Sequence, residues 1–369
     1  MTSLRILHTE SSCGWGGQEL RILSEAEGLQ ARGHQLTLVC PAAARIYQAA
    51  QERGLEVVAL PIERKKLSAL WALRQWLAPR RHQYDLINTH SSTDSWLTAL
   101  ACASLADAPP IVRTRHVSSP INQHWTTRWL YQRAAKHVVV TGEPLRQYLA
   151  AHNGFALESM TSVPTGIRLE RFYPRDKAVI KTELGIEGRV IGILATLRNW
   201  KGHTYLLDAF SRLAASQDDL QLLIVGDGPQ RANLERRVAE LGLTQRVRFS
   251  GNQDDPERWL NAMDIFVLPS YGDEGVSQAV MQAMATGLPV ITTAVGGMLD
   301  AVQHEQTGLI VPIKDDQALE QALQRLLSQP QLAAQLAEAG YQRAQQLFGL
   351  ETMLDRMESI FQRFARRAG

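Results

Sequence analysis

Short apolar segments alternate with longer amphipathic segments along most of the chain. In the first half, the pattern predicts strands at residues 4–8, 33–39, 56–60, 85–89, 111–115 and 137–141, with helices between them. In the second half, it predicts strands at residues 190–194, 220–225, 246–252, 264–268 and 290–293. Strands that alternate with helices indicate parallel α/β sheets. The chain therefore has the pattern of the α/β class, in two successive runs.

The two runs meet in an extended, turn-rich segment at residues 163–174. A chain of 369 residues exceeds what one hydrophobic core usually supports, so two domains are expected. We place the first domain at residues 1–165 and the second at residues 166–348. Residues 349–369 are expected to form a final helix.

The composition is that of a water-soluble globular protein, with 45% hydrophobic and 21% charged residues. The net charge of +2 gives no argument for nucleic acid as a partner, and no nucleic-acid recognition module is visible. Cys13, Cys40 and Cys102 have no metal-ligand spacing, which favours free thiols in a reducing compartment. The first residues are too polar for a signal peptide, so we expect a cytoplasmic protein.

Residues 264–291 suggest a binding site for a phosphate beside a polyol. A strand at residues 264–268 is followed by a helix that should begin near Ser277 and end at Gly287. In open parallel sheets ligands bind at such strand ends, and a helix start attracts phosphate. Glu274 repels phosphate, so we expect it to accept hydrogen bonds from hydroxyl groups. This combination suggests a nucleotide sugar.

Other strand ends carry candidate residues. Arg198 and Lys201 follow a strand and precede a helix, where they could neutralise a diphosphate or simply form a solvated basic loop. Gly16 and Gly17 form the glycine-rich turn after the first strand, which on its own is weak evidence for phosphate binding. Asp94 is expected on a strand-end loop, where it could touch an acceptor.

The stretch around Glu274 resembles the family-4 retaining glycosyltransferases of the GT-B fold. Glu274 with Gly275, and residues 283–290, match the family signature closely, although Gln282 stands where the family has a second glutamate. Lys201 also matches, whereas Thr196 replaces the family's arginine and Thr165 its linker asparagine. The resemblance runs in order through essentially the whole chain. It implies two Rossmann-like, doubly wound parallel-sheet domains facing a cleft, with the final helix crossing back to the N-terminal domain.

The resemblance also implies roles for individual residues. Glu274, Lys201, Arg198 and His116 become candidate catalytic residues, although a histidine at a strand end is more often structural. The N-terminal domain would bind the acceptor and the C-terminal domain the nucleotide sugar. The candidate donor-binding residues are Gly16, Gly17, Thr196, Gly226, Gly228, Asn252, Gly275, Val276, Ser277 and Gln282.

The implied reaction transfers a sugar from a nucleoside-diphosphate sugar, UDP-linked before GDP-linked, to a hydroxyl of a glycan or lipid-linked acceptor. We expect no metal ion and no cofactor, because cations and amide groups could stabilise the leaving diphosphate. The spacing of residues 14–17 fails the pattern of a nicotinamide oxidoreductase. Two alternatives remain open, a nucleotide-sugar-binding homologue with weak or lost activity and a GT-B-type epimerase.

Residues 64–81 combine helical apolar spacing with basic residues at both ends and two tryptophans. This segment is either a crossover helix with solvated charges or an interfacial helix on an anionic membrane. Trp125, Arg128, Trp129, Arg133 and Lys136 form a second basic and aromatic group. By analogy, the expectation is a role in cell-surface polysaccharide or lipopolysaccharide synthesis, with the protein cytoplasmic or peripheral on the inner face of the plasma membrane.

Overall fold

The computed structural model describes residues 3–117, 120–272 and 275–366, and within them the chain divides into two compact units. The N-terminal unit comprises residues 1–166 and 350–369, and the C-terminal unit residues 167–349. Each unit has its own parallel sheet and its own apolar core. The predicted fold class, two doubly wound parallel-sheet domains, is confirmed.

Within its described residues, the N-terminal unit has a seven-stranded sheet with the order β3-β2-β1-β4-β5-β6-β7. Its strands, all paired in parallel, are β1 Arg5–Thr9, β2 Gln35–Cys40, β3 Glu56–Ala59, β4 Leu86–Thr89, β5 Ile111–Arg115, β6 Ala135–Val140 and β7 Met160–Ser162. Its helices are α1 Gly17–Ala31, α2 Arg45–Glu52, α3 Leu67–Leu77, α4 Ser92–Ala103, α5 Trp125–Trp129 and α6 Glu143–Asn153. The strand order reverses between β1 and β4, which is where open α/β sheets bind ligands.

The C-terminal unit has a six-stranded sheet among its described residues, with the order β10-β9-β8-β11-β12-β13. The strands, again all parallel, are β8 Arg189–Leu194, β9 Leu220–Val225, β10 Val247–Gly251, β11 Ile265–Leu268, β12 Val290–Thr293 and β13 Leu309–Val311. The helices are α7 Lys177–Leu184, α8 His203–Ala214, α9 Arg231–Glu240, α10 Pro256–Asn261, α11 Gln278–Ala285, α12 Met298–Ala301, α13 Asp316–Ser328 and α14 Pro330–Leu347. Here the order reverses between β8 and β11.

The final helix, α15 Leu350–Phe364, belongs to the N-terminal unit although the C-terminal unit precedes it in sequence. Its apolar side chains, which include Leu354 and Phe361, are buried in the same core as the side chains of α1. Gly28 of α1 makes this close packing feasible, because an added Cβ atom would lie 2.3 Å from a methyl carbon of Leu354. Arg32 pairs with three acids of α15, of which Glu358 is the most buried.

Candidate functional site

The loop after β8 carries Thr196, Arg198 and Lys201. Thr196 and Arg198 are exposed, and Lys201 lies half-buried at the end of the short 3-10 turn Asn199–Lys201. The guanidinium of Arg198 lies 5.0 Å from the ring centre of Trp200. The loop therefore places two cations at the carboxyl edge of the C-terminal sheet.

This turn packs backbone to backbone against the segment that follows β11. The amide of Tyr271 donates a hydrogen bond of 2.8 Å to the carbonyl oxygen of Trp200. At Gly202, where φ is +79°, an added Cβ atom would lie 2.1 Å from the carbonyl oxygen of Pro269. At Gly272 it would lie 2.8 Å from Cβ of Trp200. The glycines thus hold the turn that carries Lys201 against the strand end that leads toward α11.

The start of α11 is the predicted phosphate-binding element, and the structure places it directly after this segment. Glu274 lies outside the described residues. Ser277 occupies the N-cap position without a capping hydrogen bond from its side chain. The first-turn N–H groups of α11 have no acceptor in the part of the chain that the structure describes. They are therefore available to an anionic ligand.

Gly297 packs against the backbone of Gly275 and Val276, which precede Ser277. An added Cβ atom on Gly297 would lie 2.6 Å from the nitrogen of Val276 and 2.9 Å from the carbonyl carbon of Gly275. Gly297 therefore lets its own loop pack directly against the backbone that leads into α11.

Gly226 and Gly228 pack against the β8 loop. Gly226 has φ of +129°, and an added Cβ atom would lie 2.1 Å from the carbonyl oxygen of Ala195. The corresponding distance from Gly228 to the carbonyl oxygen of Leu197 is 2.7 Å. These close contacts therefore hold the backbone of the β8 loop, which carries Arg198 and Lys201.

Asn252 and Gln282 complete the predicted donor residues of this unit. Asn252 is exposed just after β10, and Gln282 is half-buried on α11. Among the described residues, neither side chain has a hydrogen-bond partner. Both can therefore hydrogen-bond to a ligand without breaking an internal contact.

In the N-terminal unit, Gly16 is the N-cap of α1 and Gly17 its first residue. Gly16 has extended backbone angles, and an added Cβ atom would meet nothing closer than Glu19 Oε2 at 3.8 Å. The amides of Gly16 and Gly17 have no acceptor within the described ranges. The predicted glycine turn therefore offers amide groups at the start of a long helix.

Asp94 is in a different place from the one predicted. It lies on the first turn of α4, not on a loop, and its side chain is fully buried. Its carboxylate accepts hydrogen bonds from the amides of His90 and Ser91 and from the hydroxyls of Thr9 and Ser11. The side chain is engaged in tying β1 to the start of α4, so it has no surface to offer an acceptor.

Glu10, which the sequence analysis did not single out, is a second buried carboxylate beside Asp94. It accepts hydrogen bonds from the amide of Ser12 at 2.6 Å, from Nε2 of Gln18 at 2.5 Å and from the hydroxyl of Ser91. Burial, followed by the charge of Asp94, raises the pKa of Glu10 to about 8. The only sequence signal for this residue is its position directly after β1.

His116 is half-buried at the end of β5, and its Nε2 atom lies 2.9 Å from Nδ1 of His90. Nε2 of His90 lies in turn 2.9 Å from Nδ1 of the buried His8. Burial, and then the charges of Arg21 and Arg113, lowers the pKa of His116 well below its ordinary value. The sequence analysis identified His116 but missed its two partners, which are far apart in the chain.

A polar cavity of about 450 Å³ opens at the same edge of the N-terminal sheet. Its lining comes from the loops after β1 and β3 and from the start of α4, and most of the lining side chains carry hydroxyl groups. The lining residues are Ser11, Ser12, Cys13, Glu63, Arg64, Ser91, Ser92 and Thr93.

The segment of residues 64–81 forms the crossover helix α3, which packs on α4. Leu67 and Trp71 on its outer face are 83% and 63% exposed, next to a basic group at its start. At its other end the arginines have internal roles, since Arg80 stacks on Trp76 and Arg81 donates to backbone carbonyls. Only the N-terminal part of the helix therefore presents a basic, apolar surface.

The second basic and aromatic group is divided between α5, the π-helical turn Leu130–Ala134 and, for Lys136, β6. Trp125 is 72% exposed, whereas Trp129 stacks on Trp96. Among the described residues, no helix is long and apolar enough to cross a bilayer. Within the same residues, no group of three His, Cys, Asp or Glu side chains could hold a metal ion.

Comparisons with known proteins match both halves of the chain to glycosyltransferases. Residues 15–171 match the family described as Glycosyltransferase Family 4, and residues 175–343 match Glycosyl transferases group 1. A 2-deoxystreptamine glucosyltransferase from Streptomyces kanamyceticus is 28% identical, with 85% of this chain and 89% of that protein covered. The lipopolysaccharide core biosynthesis mannosyltransferase LpsB of Rhizobium meliloti is 30% identical, with 69% of this chain and 74% of that protein covered.

Among solved structures, the Anabaena protein HepE in complex with UDP has a TM-score of 0.86 and 21% identity, covering 98% of this chain and 100% of that one. Its complex with UDP-glucose has a TM-score of 0.81 and 22% identity, with the same coverage. At this level of identity the likeness shows a shared fold, and it extends over both units.

Proposed function

This chain belongs to the family-4 glycosyltransferases of the GT-B fold, and we propose that it transfers a sugar from a nucleoside-diphosphate sugar to a hydroxyl of a glycan or lipid-linked acceptor. The favoured donor is a UDP-sugar, with a GDP-sugar next. HepE, which shares the fold, binds UDP and UDP-glucose, and this supports the choice. The proposal includes retention of the anomeric configuration and a role in cell-surface glycan or lipopolysaccharide synthesis.

The observation that carries the proposal is the arrangement at the β8/β11 edge of the C-terminal sheet. The turn with Lys201 packs against the segment after β11, and that segment leads into the uncapped start of α11 at Ser277. A cation and helix amides without an acceptor among the described residues are suited to a diphosphate, whose charge increases as the sugar leaves. Rigid backbone contacts hold both elements, so little reorganisation is needed during the reaction.

Within this proposal Lys201 and Arg198 stabilise the leaving diphosphate, and the start of α11 at Gly275, Val276 and Ser277 adds N–H donors. Glu274 is proposed to hold a hydroxyl of the sugar and so to orient the ring. Gln282 stands at the position of the family's second glutamate, and we propose that it faces the ribose. Its amide can both donate and accept hydrogen bonds there.

From the N-terminal unit, we propose that Gly16 and Gly17 contact the diphosphate and that His116 contacts the donor sugar. This unit is also proposed to bind the acceptor, and the hydroxyl-lined cavity that includes Ser92 and Arg64 supports that role. Small polar side chains of this kind can hydrogen-bond to the hydroxyl groups of a glycan. Asp94 is not part of this proposal because its carboxylate is fully buried and engaged.

In the proposed reaction, the bond between the anomeric carbon and the diphosphate oxygen breaks and the acceptor oxygen bonds to that carbon on the same face. The acceptor proton passes to the departing phosphate oxygen, so that charge and atoms balance. This front-face route requires no second carboxylate, unlike double displacement. We propose that the side-chain cations and helix amides provide the charge stabilisation without a metal ion.

A binding protein with weak or lost activity is the second candidate, and Gln282 is the observation that favours it. Its neutral amide replaces an acid of the family signature, and Thr196 replaces an arginine. A GT-B-type epimerase is a further alternative. It would be recognised by the appearance of an isomerised nucleotide sugar in the absence of any acceptor.

Incubation of the full chain with radiolabelled UDP-glucose and a panel of alkyl glycosides tests the proposed function. We expect transfer of the label to at least one glycoside and an α-linked product, as retention requires. GDP-mannose serves as the second donor. Binding of both nucleotide sugars without transfer or hydrolysis would favour the binding protein, and a β-linked product would contradict retention.

We also propose that the exposed surface of α3 contacts anionic membranes. Sedimentation with vesicles containing phosphatidylglycerol should be weakened by added salt, because the basic residues at the start of α3 act through screened charges. Replacement of Trp71 by serine should reduce sedimentation, whereas Val179→Ser, at an exposed valine of the C-terminal unit, should not. Equal sedimentation of both variants would contradict a membrane role for α3.

A further inference from the structure

Three histidines of the N-terminal unit form one continuous hydrogen-bonded chain. Nδ1 of His8 lies 2.9 Å from Nε2 of His90, and Nδ1 of His90 lies 2.9 Å from Nε2 of His116. The planes of the first pair of rings are inclined by 14° with ring centres 5.1 Å apart, and those of the second pair by 31° with centres 5.2 Å apart. His8 is on β1, and the other two directly follow β4 and β5, which are the next strands across the sheet.

The rings of this chain are held neutral. His8 and His90 are almost fully buried, and burial lowers the pKa of His8 to about 3 and that of His90 well below its ordinary value. The pKa of His116 is lowered in the same direction. A neutral imidazole carries a single N–H group, so one ring nitrogen donates while the other accepts.

This restriction leaves two arrangements of the protons along the three hydrogen-bonded histidines. If the proton of His90 is on Nδ1, it donates to His116, and His8 donates to Nε2 of His90. If that proton is on Nε2, both hydrogen bonds run the other way. The tautomer of His116 is therefore coupled to that of His8 through His90.

The surroundings of His8, at the buried end of the three histidines, favour one of the two arrangements. Nε2 of His8 is buried and has no hydrogen-bond partner among the described residues. The small void lined by His8, Ile22 and Leu23 has no room for a water molecule. A buried N–H group without an acceptor is rarer in proteins than a buried acceptor without a donor. Nε2 of His8 should therefore be the unprotonated nitrogen, which places its proton on Nδ1.

We infer that the chain from His8 through His90 holds His116 in its Nδ1–H tautomer, so that His116 presents a fixed, neutral hydrogen-bond donor to an oxygen of the bound sugar nucleotide. His8 and His90 are positioning residues in this scheme, since they act only through His116. Nδ1 of His116 has no partner in the part of the chain that the structure describes. The nature of the ligand rests on the proposed function, whereas the tautomer does not.

The scheme gives His116 a defined chemical role. With its proton on Nδ1 and its Nε2 lone pair occupied by His90, the ring can donate toward the ligand but cannot accept a proton there. It is therefore a binding and orienting group for a sugar or phosphate oxygen, and it is not a general base for the acceptor.

Nitrogen-15 NMR of the unliganded protein, labelled at histidine, tests the tautomers without any substrate. Long-range proton–nitrogen correlations distinguish the two ring nitrogens. We expect Nδ1–H rings at His8, His90 and His116 at neutral pH, with the exposed His82 as a reference for an unconstrained ring. An Nε2–H proton on His90 or His116, or a protonated ring at either position, would overturn the inference.

Paired substitutions at His90 test the positioning role. His90→Asn keeps an amide donor for Nε2 of His116 at about the position of Nδ1 of His90, whereas His90→Leu removes the donor at similar volume. We expect His90→Leu to weaken UDP-glucose binding about tenfold, as for loss of one well-placed hydrogen bond, and to give mixed His116 tautomers. His90→Asn should retain most of the affinity.

His116→Asn and His116→Leu give the matching comparison at the ligand end, because the amide of asparagine can donate from about the position of Nδ1. Asparagine should retain more UDP-glucose affinity than leucine. If the asparagine and leucine variants of His90 bind UDP-glucose equally well, the positioning role is wrong even when the enzyme transfers sugar. If the tautomers are as inferred but no nucleotide sugar binds, the proposed function fails and the histidine chain stands.

Discussion

The carboxyl edges of the two sheets carry different kinds of residues, although both sheets have the same doubly wound topology. At the β1/β4 edge, polar side chains such as Glu10, Asp94 and His90 are buried, and each is hydrogen-bonded to neighbouring protein groups. At the β8/β11 edge, Arg198 is exposed, and glycines such as Gly202 and Gly297 allow neighbouring backbone segments to pack closely. The first edge is therefore shaped by side-chain hydrogen bonds, and the second by close backbone contacts beside the exposed Arg198.

This difference suggests how one architecture can serve two ligand classes. A buried network of carboxylates and imidazoles orients a few donors and acceptors, which suits hydroxyl groups of sugars. Accessible cations beside a helix start suit a diphosphate. Substitutions at either edge can test this division.

The largest effect is expected from Lys201→Ala. Removing this cation should reduce turnover by about 100-fold or more, as with other groups that stabilise charge in a transition state. Lys136→Ala removes an exposed lysine from the N-terminal unit and should leave turnover unchanged. Steady-state rates of both variants are the measurement. A near-normal rate for Lys201→Ala would remove the main chemical role of the β8/β11 edge.

Gly297→Ala tests whether backbone packing maintains that edge. Because its Cβ atom would lie 2.6 Å from the nitrogen of Val276, the start of α11 has to move. We expect UDP binding to weaken about tenfold, since a misplaced helix start loses contacts of about 1.4 kcal/mol. Titration calorimetry with UDP measures this change.

Gly16→Ala is the counterpart at the other edge. Gly16 has an extended backbone, and its added Cβ atom meets nothing closer than Glu19 Oε2 at 3.8 Å, so stability should change by no more than about 0.5 kcal/mol. Comparable losses of thermal stability in Gly16→Ala and Gly297→Ala would contradict the contrast in backbone packing between the two edges.

The buried carboxylates predict how stability depends on pH. Because the folded-state pKa of Glu10 is raised to about 8, its stabilising contribution is present below pH 4.5 and is lost as the pH rises through 8. The neutral histidines act in the opposite sense, because the lowered pKa of His8 makes folding less favourable as the pH falls below 6.5. We expect the thermal midpoint to be highest near pH 6.5.

Glu10→Gln isolates the carboxylate contribution. Between pH 6.5 and 8 a single proton changes the unfolding free energy by at most about 1.4 kcal/mol per pH unit. The variant should flatten the decline in thermal midpoint above pH 6.5 and steepen the rise between pH 4.5 and 6.5, because wild-type Glu10 loses its stabilising contribution over that whole range. An unaltered slope in Glu10→Gln would show that Glu10 is already ionised in the folded protein.

The smallest effect is expected from Gln282→Glu, which restores the acid of the family signature. A charged acceptor should change the ratio of UDP to GDP affinities about threefold or more, since hydrogen bonds to charged groups are the stronger ones. Gln342→Glu makes the same change at an exposed position of α14. An unchanged ratio would place Gln282 away from the nucleotide.

Most of the fold could be predicted because its signals are local. The strand at residues 111–115 was predicted with the bounds that β5 has, and the helix start near Ser277 follows from an apolar strand and a small-residue turn. The resemblance of the whole chain to one family then indicated the arrangement of both sheets. Local patterns of this kind need no knowledge of distant contacts.

The buried polar network could not be predicted, because its contacts join residues far apart in the chain. His8, His90 and His116 each looked like an isolated polar residue near a strand end. Asp94 looked like a loop acid, although Ser91 and Asp94 have the spacing of a capping box and α4 begins at Ser92. The arginines at the end of α3 resembled a basic patch, but the fold uses Arg81 to bind carbonyl groups.

The most direct test of the central claim is thermal stabilisation of the full chain by UDP, GDP, ADP, CMP and their common sugar conjugates. A ligand at about 100 times its dissociation constant adds about 2.7 kcal/mol to stability. We predict that UDP and a UDP-sugar raise the thermal midpoint of the wild type more than the other nucleotides do, and that Lys201→Ala loses most of this increase. No stabilisation by any nucleotide, or an equal increase in Lys201→Ala, would contradict a diphosphate site at the β8/β11 edge.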